Sequence, residues 1–115
     1  MNPPYKYKAI ITNVVDGDTV DARVDLGFTV SVDIRFRLYG IDTPELNSKE
    51  ESVRYKAKLA KQYVIDKILD KEVLIESYKT DKYGRWLVNI FIEDKTLNQM
   101  LIEEQLAIPY YGGVR

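Results

Sequence analysis

The strongest constraint on the fold is a run of strict alternation at residues 29–38. Val30, Val32, Ile34, Phe36 and Leu38 share one parity, and Thr29, Ser31, Asp33, Arg35 and Arg37 share the other. Strand side chains point alternately to opposite faces, so this run predicts a β-strand with an apolar inner face. Arg37 falls on the parity that faces away from the core. Two further strand runs precede it. Residues 7–15 are β-branched and apolar and end at the turn signal Asp16-Gly17. Val20, Ala22, Val24 and Leu26 then alternate with Asp21, Arg23 and Asp25 up to Gly27.

Past this three-strand block the periodicity changes. Residues 40–44 read as a loop, because Pro44 disfavours helix at Thr43 and cannot continue a ladder. Over residues 48–70, Val53, Ala57, Ala60, Val64 and Ile68 recur at helical spacing, opposite Arg54, Lys56, Lys58, Lys61 and Lys67. A fourth strand is expected at 72–78, a turn at 79–84, and a fifth strand at 85–92 with Trp86, Val88, Ile90 and Ile92 on one side. Thr96, with Gln99 three residues on, opens a second helix through Glu104, with Leu97, Met100 and Leu101 as its buried stripe. The tail, with Pro109, Tyr110 and Tyr111, is expected to fray after Tyr111. Three strands, a helix, two strands and a helix make an α+β, mainly β order. Five short strands with Gly-marked bends fit a small closed OB-fold barrel packed with two helices, since closure removes exposed edges. A ferredoxin-like sandwich would need a helix after the first strand, and no helical stretch lies there. The 115 residues suit one domain, with its core at about 7–111.

The available chemistry is narrow. The chain has no His and no Cys, which excludes disulfides, Cys nucleophiles, Ser-His-Asp triads and ordinary zinc sites. A metal would be held by oxygen, which favours Ca²⁺, Mg²⁺ or Mn²⁺. The net charge of −1 gives no global basic footprint for nucleic acid, but the charge is segregated. Residues 14–33 carry five Asp and one Arg, whereas residues 46–71 carry seven Lys/Arg and four Asp/Glu. A solvated face would explain such segregation equally well.

Three segments could carry chemistry. Asp16-Gly17-Asp18-Thr19 has the acidic look of a calcium loop of the helix–loop–helix type. Counted from Asp16, however, the positions that need Gly and Glu hold Asp21 and Gly27, so that motif is rejected. The plain alternative is an Asp-Gly turn. Asp42 and Glu45 sit in a Pro-restricted loop at a strand end, where the Thr43 carbonyl is a further hard donor. Asp81-Lys82-Tyr83-Gly84-Arg85 reads as a turn that delivers Arg85 to a strand start. Carboxylates for one hard cation, two arginines for a phosphate and a carboxylate for water would make a phosphodiester-cleaving set without His or Cys.

In Asp16-Gly17-Asp18-Thr19-Val20, Phe36-Arg37-Leu38, Asp42-Thr43-Pro44-Glu45 and Asp81-Lys82-Tyr83-Gly84-Arg85, in that order, the chain resembles the staphylococcal nuclease (thermonuclease) family. The resemblance implies a five-stranded OB-fold barrel and Ca²⁺-dependent cleavage of DNA and RNA to 3′-phosphate products. It implies Asp18, Asp42 and the Thr43 carbonyl as metal ligands, Arg37 and Arg85 on the scissile phosphate, and Glu45 as general base or water orienter. It also implies nucleotide contacts from Lys82, Tyr83 and Tyr111. Two departures stand out: Arg54-Tyr55-Lys56-Ala57 replaces the family's frequent Gly-x-Glu-Ala, and Glu104-Gln105-Leu106 lacks a Gly common after the second helix. The chain also ends before the family's last helix, which predicts a smaller core.

DNA and RNA are the expected partners, single strands preferred, with a monomeric protein and no membrane. No charged-then-apolar leader opens the sequence at Met1-Asn2-Pro3-Pro4, so a cytoplasmic or phage-encoded protein is expected, or a secreted one if the chain is trimmed. The competing reading is a noncatalytic nucleic-acid- or protein-binding module of the same family. An interaction module using exposed Tyr and Lys would explain the tyrosines but not the site set.

Overall fold

The computed structural model describes residues 5–110. The three expected leading strands are present as β1 (Tyr5–Asp16), β2 (Thr19–Gly27) and β3 (Val30–Leu38), joined as an antiparallel meander. After a helix come β5 (Glu72–Thr80), antiparallel to β1, and β6 (Trp86–Ile92), antiparallel to β5. A parallel pairing of Phe36, Arg37 and Leu38 with Trp86, Leu87 and Val88 then joins β3 to β6. That short ladder closes β1, β2, β3, β6 and β5 into the expected five-stranded barrel. Its interior is filled by Ile11, Val20, Leu38, Ile75, Val88 and Ile90, all at most 1% exposed.

Ile11 and Val14 both point inward although their spacing is odd. The register shift between Ile11 and Asn13 supplies the extra residue, as a β-bulge must. The clean alternation in β3 overstates its burial: Val30 and Val32 are 51% and 37% exposed. β3 reaches β6 only through its last three residues, so among the described residues the outer edge of 30–35 has no strand partner.

Helix α1 (Glu51–Ile68) buries Ala57, Ala60, Val64 and Ile68 against the barrel, while Val53 is only half-buried. It starts three residues later than the periodicity predicts, with residues 48–50 outside it. Helix α2 (Leu97–Glu103) is capped as expected, the Thr96 hydroxyl accepting from the Gln99 amide at 3.1 Å. Its buried stripe is Leu97, Asn98 and Leu101, with Asn98 in the place foreseen for Met100. Three two-residue strands escaped the sequence reading. β4 (Ile41–Asp42), inside the expected loop, pairs with β8 (Ile108–Pro109), and β7 (Lys95–Thr96) extends the sheet beyond β6. Segments so short carry no periodicity; burial of Ile41 and a hydrogen bond donated by the Tyr110 amide to the Gly40 carbonyl (2.9 Å) hold the β4–β8 pair. No described helix is long and apolar enough to cross a membrane.

Candidate active site

The site is built where β3 meets β6, from the turn before β2, the end of β3, the loop after β4, and the turn between β5 and β6. Gly17 lies at the β1–β2 turn because of crowding. A Cβ there would come within 2.8 Å of the Ala60 Cβ and 3.0 Å of the Thr43 Cγ2. The missing side chain lets the turn press on both α1 and the β4 loop. Asp18 is fixed there from several sides. Its carbonyl accepts from the Leu38 amide (2.8 Å), its Oδ2 from the Thr43 amide (3.2 Å) and its Oδ1 from the Thr19 hydroxyl (3.2 Å).

Arg37 lies beside Asp18. Its outward parity holds, yet it is only 7% exposed, because the β4 loop folds over it. Nη1 donates to the Ile41 carbonyl (3.0 Å), and Nη2 reaches Asp42 Oδ1 (3.2 Å) and Asp18 Oδ2 (3.5 Å). The Tyr110 ring stands 5.6 Å from the guanidinium. Two carboxylates therefore meet at one guanidinium nitrogen. Burial works to raise the Asp18 carboxyl, but a hydrogen bond with Asp16, the Arg37 charge, the Thr43 amide and the Thr19 hydroxyl outweigh it and hold it below its ordinary value. Asp16 takes the opposite course: burial, then the hydrogen bond and charge of Asp18, push it up to about 6.

The Asp81–Arg85 turn is organised by its first residue. Asp81 Oδ1 accepts the amides of Tyr83 (2.8 Å) and Arg85 (2.9 Å), and its Oδ2 accepts Arg85 Nε (2.8 Å). Gly84 takes the left-handed φ of +79° that lets the chain turn back. The Tyr83 ring lies 5.3 Å from the Arg85 guanidinium and 5.2 Å from Lys82 Nζ. A cavity of about 370 Å³ lies between this turn and β3, lined by Arg37, Tyr39, Lys82, Tyr83, Arg85 and Tyr110 among others.

Of the residues singled out from sequence, Asp18, Arg37, Asp42 and Thr43 form one hydrogen-bonded cluster. Arg37 shares the cavity with Lys82, Tyr83 and Arg85. Glu45 is exposed in the loop after β4, and no hydrogen bond or ion pair joins its side chain to the others among the described residues. Tyr111 lies outside the described residues; its neighbour Tyr110 lines the cavity and faces Arg37.

Three residues were missed. Asn98, 4% exposed, donates to the carbonyls of Tyr39 (2.8 Å) and Val88 (3.1 Å) and accepts from the Ile90 amide (3.2 Å), tying the ends of β3 and β6 together. A polar residue beside Leu97 and Leu101 was the available signal. Tyr39 stacks on Tyr78 at 4.6 Å, and Tyr78 is braced by Glu76 and Asn89; no period or motif marks that pair.

Among the described residues, no three His, Cys, Asp or Glu side chains converge as a metal-binding group. Asp18 and Asp42 do converge, on Arg37, as oxygen-only donors beside the Thr43 backbone. That set fits a hard divalent cation that keeps several waters, and it suits neither zinc nor a soft metal.

The comparisons agree with this geometry. The family model of staphylococcal nuclease homologues matches residues 35–114. A thermonuclease of Staphylococcus intermedius is 32% identical over 100 residues, covering 85% of this chain and 56% of the relative. A thermonuclease of Staphylococcus hyicus is 30% identical over 103 residues, covering 88% and 57%, and Protein ParB of Escherichia coli is 26% identical over 109 residues, covering 87% and 55%. The chain thus spans a little over half the length of these relatives. Barrel, site cluster and similarity agree, and the chain belongs to the staphylococcal nuclease homologue family.

Proposed function

We propose that the protein is a metal-dependent, sugar-nonspecific nuclease that hydrolyses DNA and RNA to 3′-phosphate products. The observation that carries this reading is one cavity lined by both Arg37 and Arg85, with the carboxylates Asp18 and Asp42 paired to Arg37. A phosphodiester is the ligand that this pairing of guanidinium groups best complements. Asp18, Asp42 and the Thr43 carbonyl would hold the cation, Ca²⁺ in the first instance with Mg²⁺ or Mn²⁺ as alternatives. The cation supplies charge neutralisation on the phosphate. Arg37 and Arg85 bind the non-bridging oxygens and stabilise the charge that builds on them. Glu45 orients a water and takes its proton as the water oxygen attacks phosphorus. The bond from phosphorus to the 5′-oxygen breaks, and that oxygen leaves as a hydroxyl with a proton drawn from solvent. Lys82, Tyr83 and Tyr111 contact the nucleotide. Single strands are the preferred substrate and the monomer is the working unit.

The noncatalytic module is the second reading, and the isolation of the Glu45 side chain favours it. Such looseness is common in apo sites, where catalytic contacts tighten only with substrate bound. Incubation of purified protein with single-stranded DNA separates the two. The nuclease degrades it with Ca²⁺ and stops when a chelator is added; the module binds it and leaves it intact.

A further inference from the structure

We infer that Asp81 is a positioning residue of the site: through Nε it holds the Arg85 guanidinium edge-on, with both terminal amino groups presented to the cavity. The inference rests on the proposed phosphate-binding role of Arg85. A guanidinium carries five N–H donors in a rigid fork. Arg85 spends Nε–H on Asp81 Oδ2 at 2.8 Å, and among the described residues its Nη groups make no hydrogen bond. The Tyr83 ring centroid lies 5.3 Å from the guanidinium carbon. A carboxylate at one edge and a ring beside the group restrict its swing. The outward edge keeps the two parallel donors that a phosphate takes up together.

Asp81 is well placed for this because it also makes the turn. Its Oδ1 accepts the Tyr83 and Arg85 amides, its own amide donates to the Arg85 carbonyl (2.8 Å), and its carbonyl accepts the Gly84 amide (3.0 Å). The Asp81 side chain is 15% exposed where the Arg85 side chain is 45% exposed, so the anchor is sheltered and the anchored group is presented. The two carboxylate oxygens therefore have separate duties: Oδ1 shapes the backbone, and Oδ2 aims the arginine.

The two duties can be separated by substitution. Asp81→Asn keeps a carbonyl oxygen for the two amides and puts an NH₂ donor against Nε. We expect the thermal midpoint to hold and kcat on single-stranded DNA to fall about 10- to 100-fold, the scale of a misplaced catalytic contact. KM should change far less. In an Arg85→Ala background the same substitution should have no further effect on kcat. Asp81→Asn at the wild-type kcat, with Arg85→Ala severely slowed, overturns the inference; so does an equal loss in both backgrounds. An Arg85→Ala protein that turns over normally overturns the Arg85 reading instead, and that arm stands by itself. A further check needs no variant. The Arg85 Nε–H of the wild-type protein should give a resolved, slowly exchanging proton–nitrogen resonance at neutral pH, and a solvent-averaged signal counts against the inference.

Discussion

Arg37 and Arg85 face the same cavity under opposite conditions. The Arg37 side chain is 9% exposed and both of its terminal amino groups are occupied, by the Ile41 carbonyl and by Asp42 and Asp18. The Arg85 side chain is 45% exposed, and among the described residues its guanidinium makes its one hydrogen bond through Nε, with the Tyr83 ring beside it. Residues of one type on one cavity can thus divide a task. Arg37 faces the cavity and is also the counter-ion of the buried Asp18 and the half-buried Asp42, whereas Arg85, among the described residues, keeps both terminal amino groups for phosphate. Removing Arg37 attacks the fold together with the site, whereas removing Arg85 attacks the site alone.

The largest expected effect follows for Arg85→Ala. Turnover should fall by about 10²–10³-fold, as for loss of a preorganised donor to transition-state charge. The thermal midpoint should barely move, because an exposed ion pair is worth ~0–1 kcal/mol. Comparable loss of stability in this variant would erase the contrast. Arg37→Gln should destabilise the protein by about 3–5 kcal/mol in chelator, the cost of leaving buried charge unpaired. Denaturant melts will measure this, and added Ca²⁺ should restore part of the loss by supplying the missing positive charge to Asp18 and Asp42. A variant as stable as the wild type would show that Arg37 is not their counter-ion.

Asn98→Leu tests whether the backbone beneath Arg37 needs its own brace. It takes a donor from the Tyr39 carbonyl and from the Val88 carbonyl, which keeps the Tyr39 amide (2.8 Å), and an acceptor from the Ile90 amide, and a buried polar group left unsatisfied costs ~1–3 kcal/mol. The loss should appear in stability first. The smallest effect is that of pH on the carboxyl pair. The Asp16 carboxyl is raised in the folded state from 3.8 to about 6, so the folded chain binds the extra proton between those values. That contribution to stability is present at low pH and is lost as pH rises from about 4 through 6. Asp18, held below its ordinary value, works in the opposite direction and loses its contribution only in stronger acid. Asp16→Asn should therefore raise the thermal midpoint at pH 7 in chelator and change it little near pH 4. An equal shift at both pH values would break the assignment.

Long elements with a period were readable in advance. β1, β2, β3, α1, β5, β6 and α2 all lie where alternation, helical spacing and turn residues place them, and the barrel follows from their order. What could not be read has a physical reason in each case. Val30 and Val32 share the parity of Phe36 and Leu38, but parity says which way a side chain points and not whether anything covers it. Arg37 is the converse, an outward residue covered by a loop that the strand pattern does not describe. β4 and β8 hold two residues each, too few for any period, and their pairing joins positions about 70 apart in the chain. The acidic, arginine and turn segments were visible as candidates because they combine charge with Gly or Pro at element ends. Their mutual contacts, and the brace at Asn98, exist only once β3 and β6 are paired.

The most direct test of the central claim is identification of the chain ends left on single-stranded DNA after incubation with Ca²⁺. The expected ends are 3′-phosphate and 5′-hydroxyl, formed with the cation and absent with a chelator. DNA left whole in Ca²⁺, Mg²⁺ and Mn²⁺ alike, or cut equally well in chelator, would contradict it.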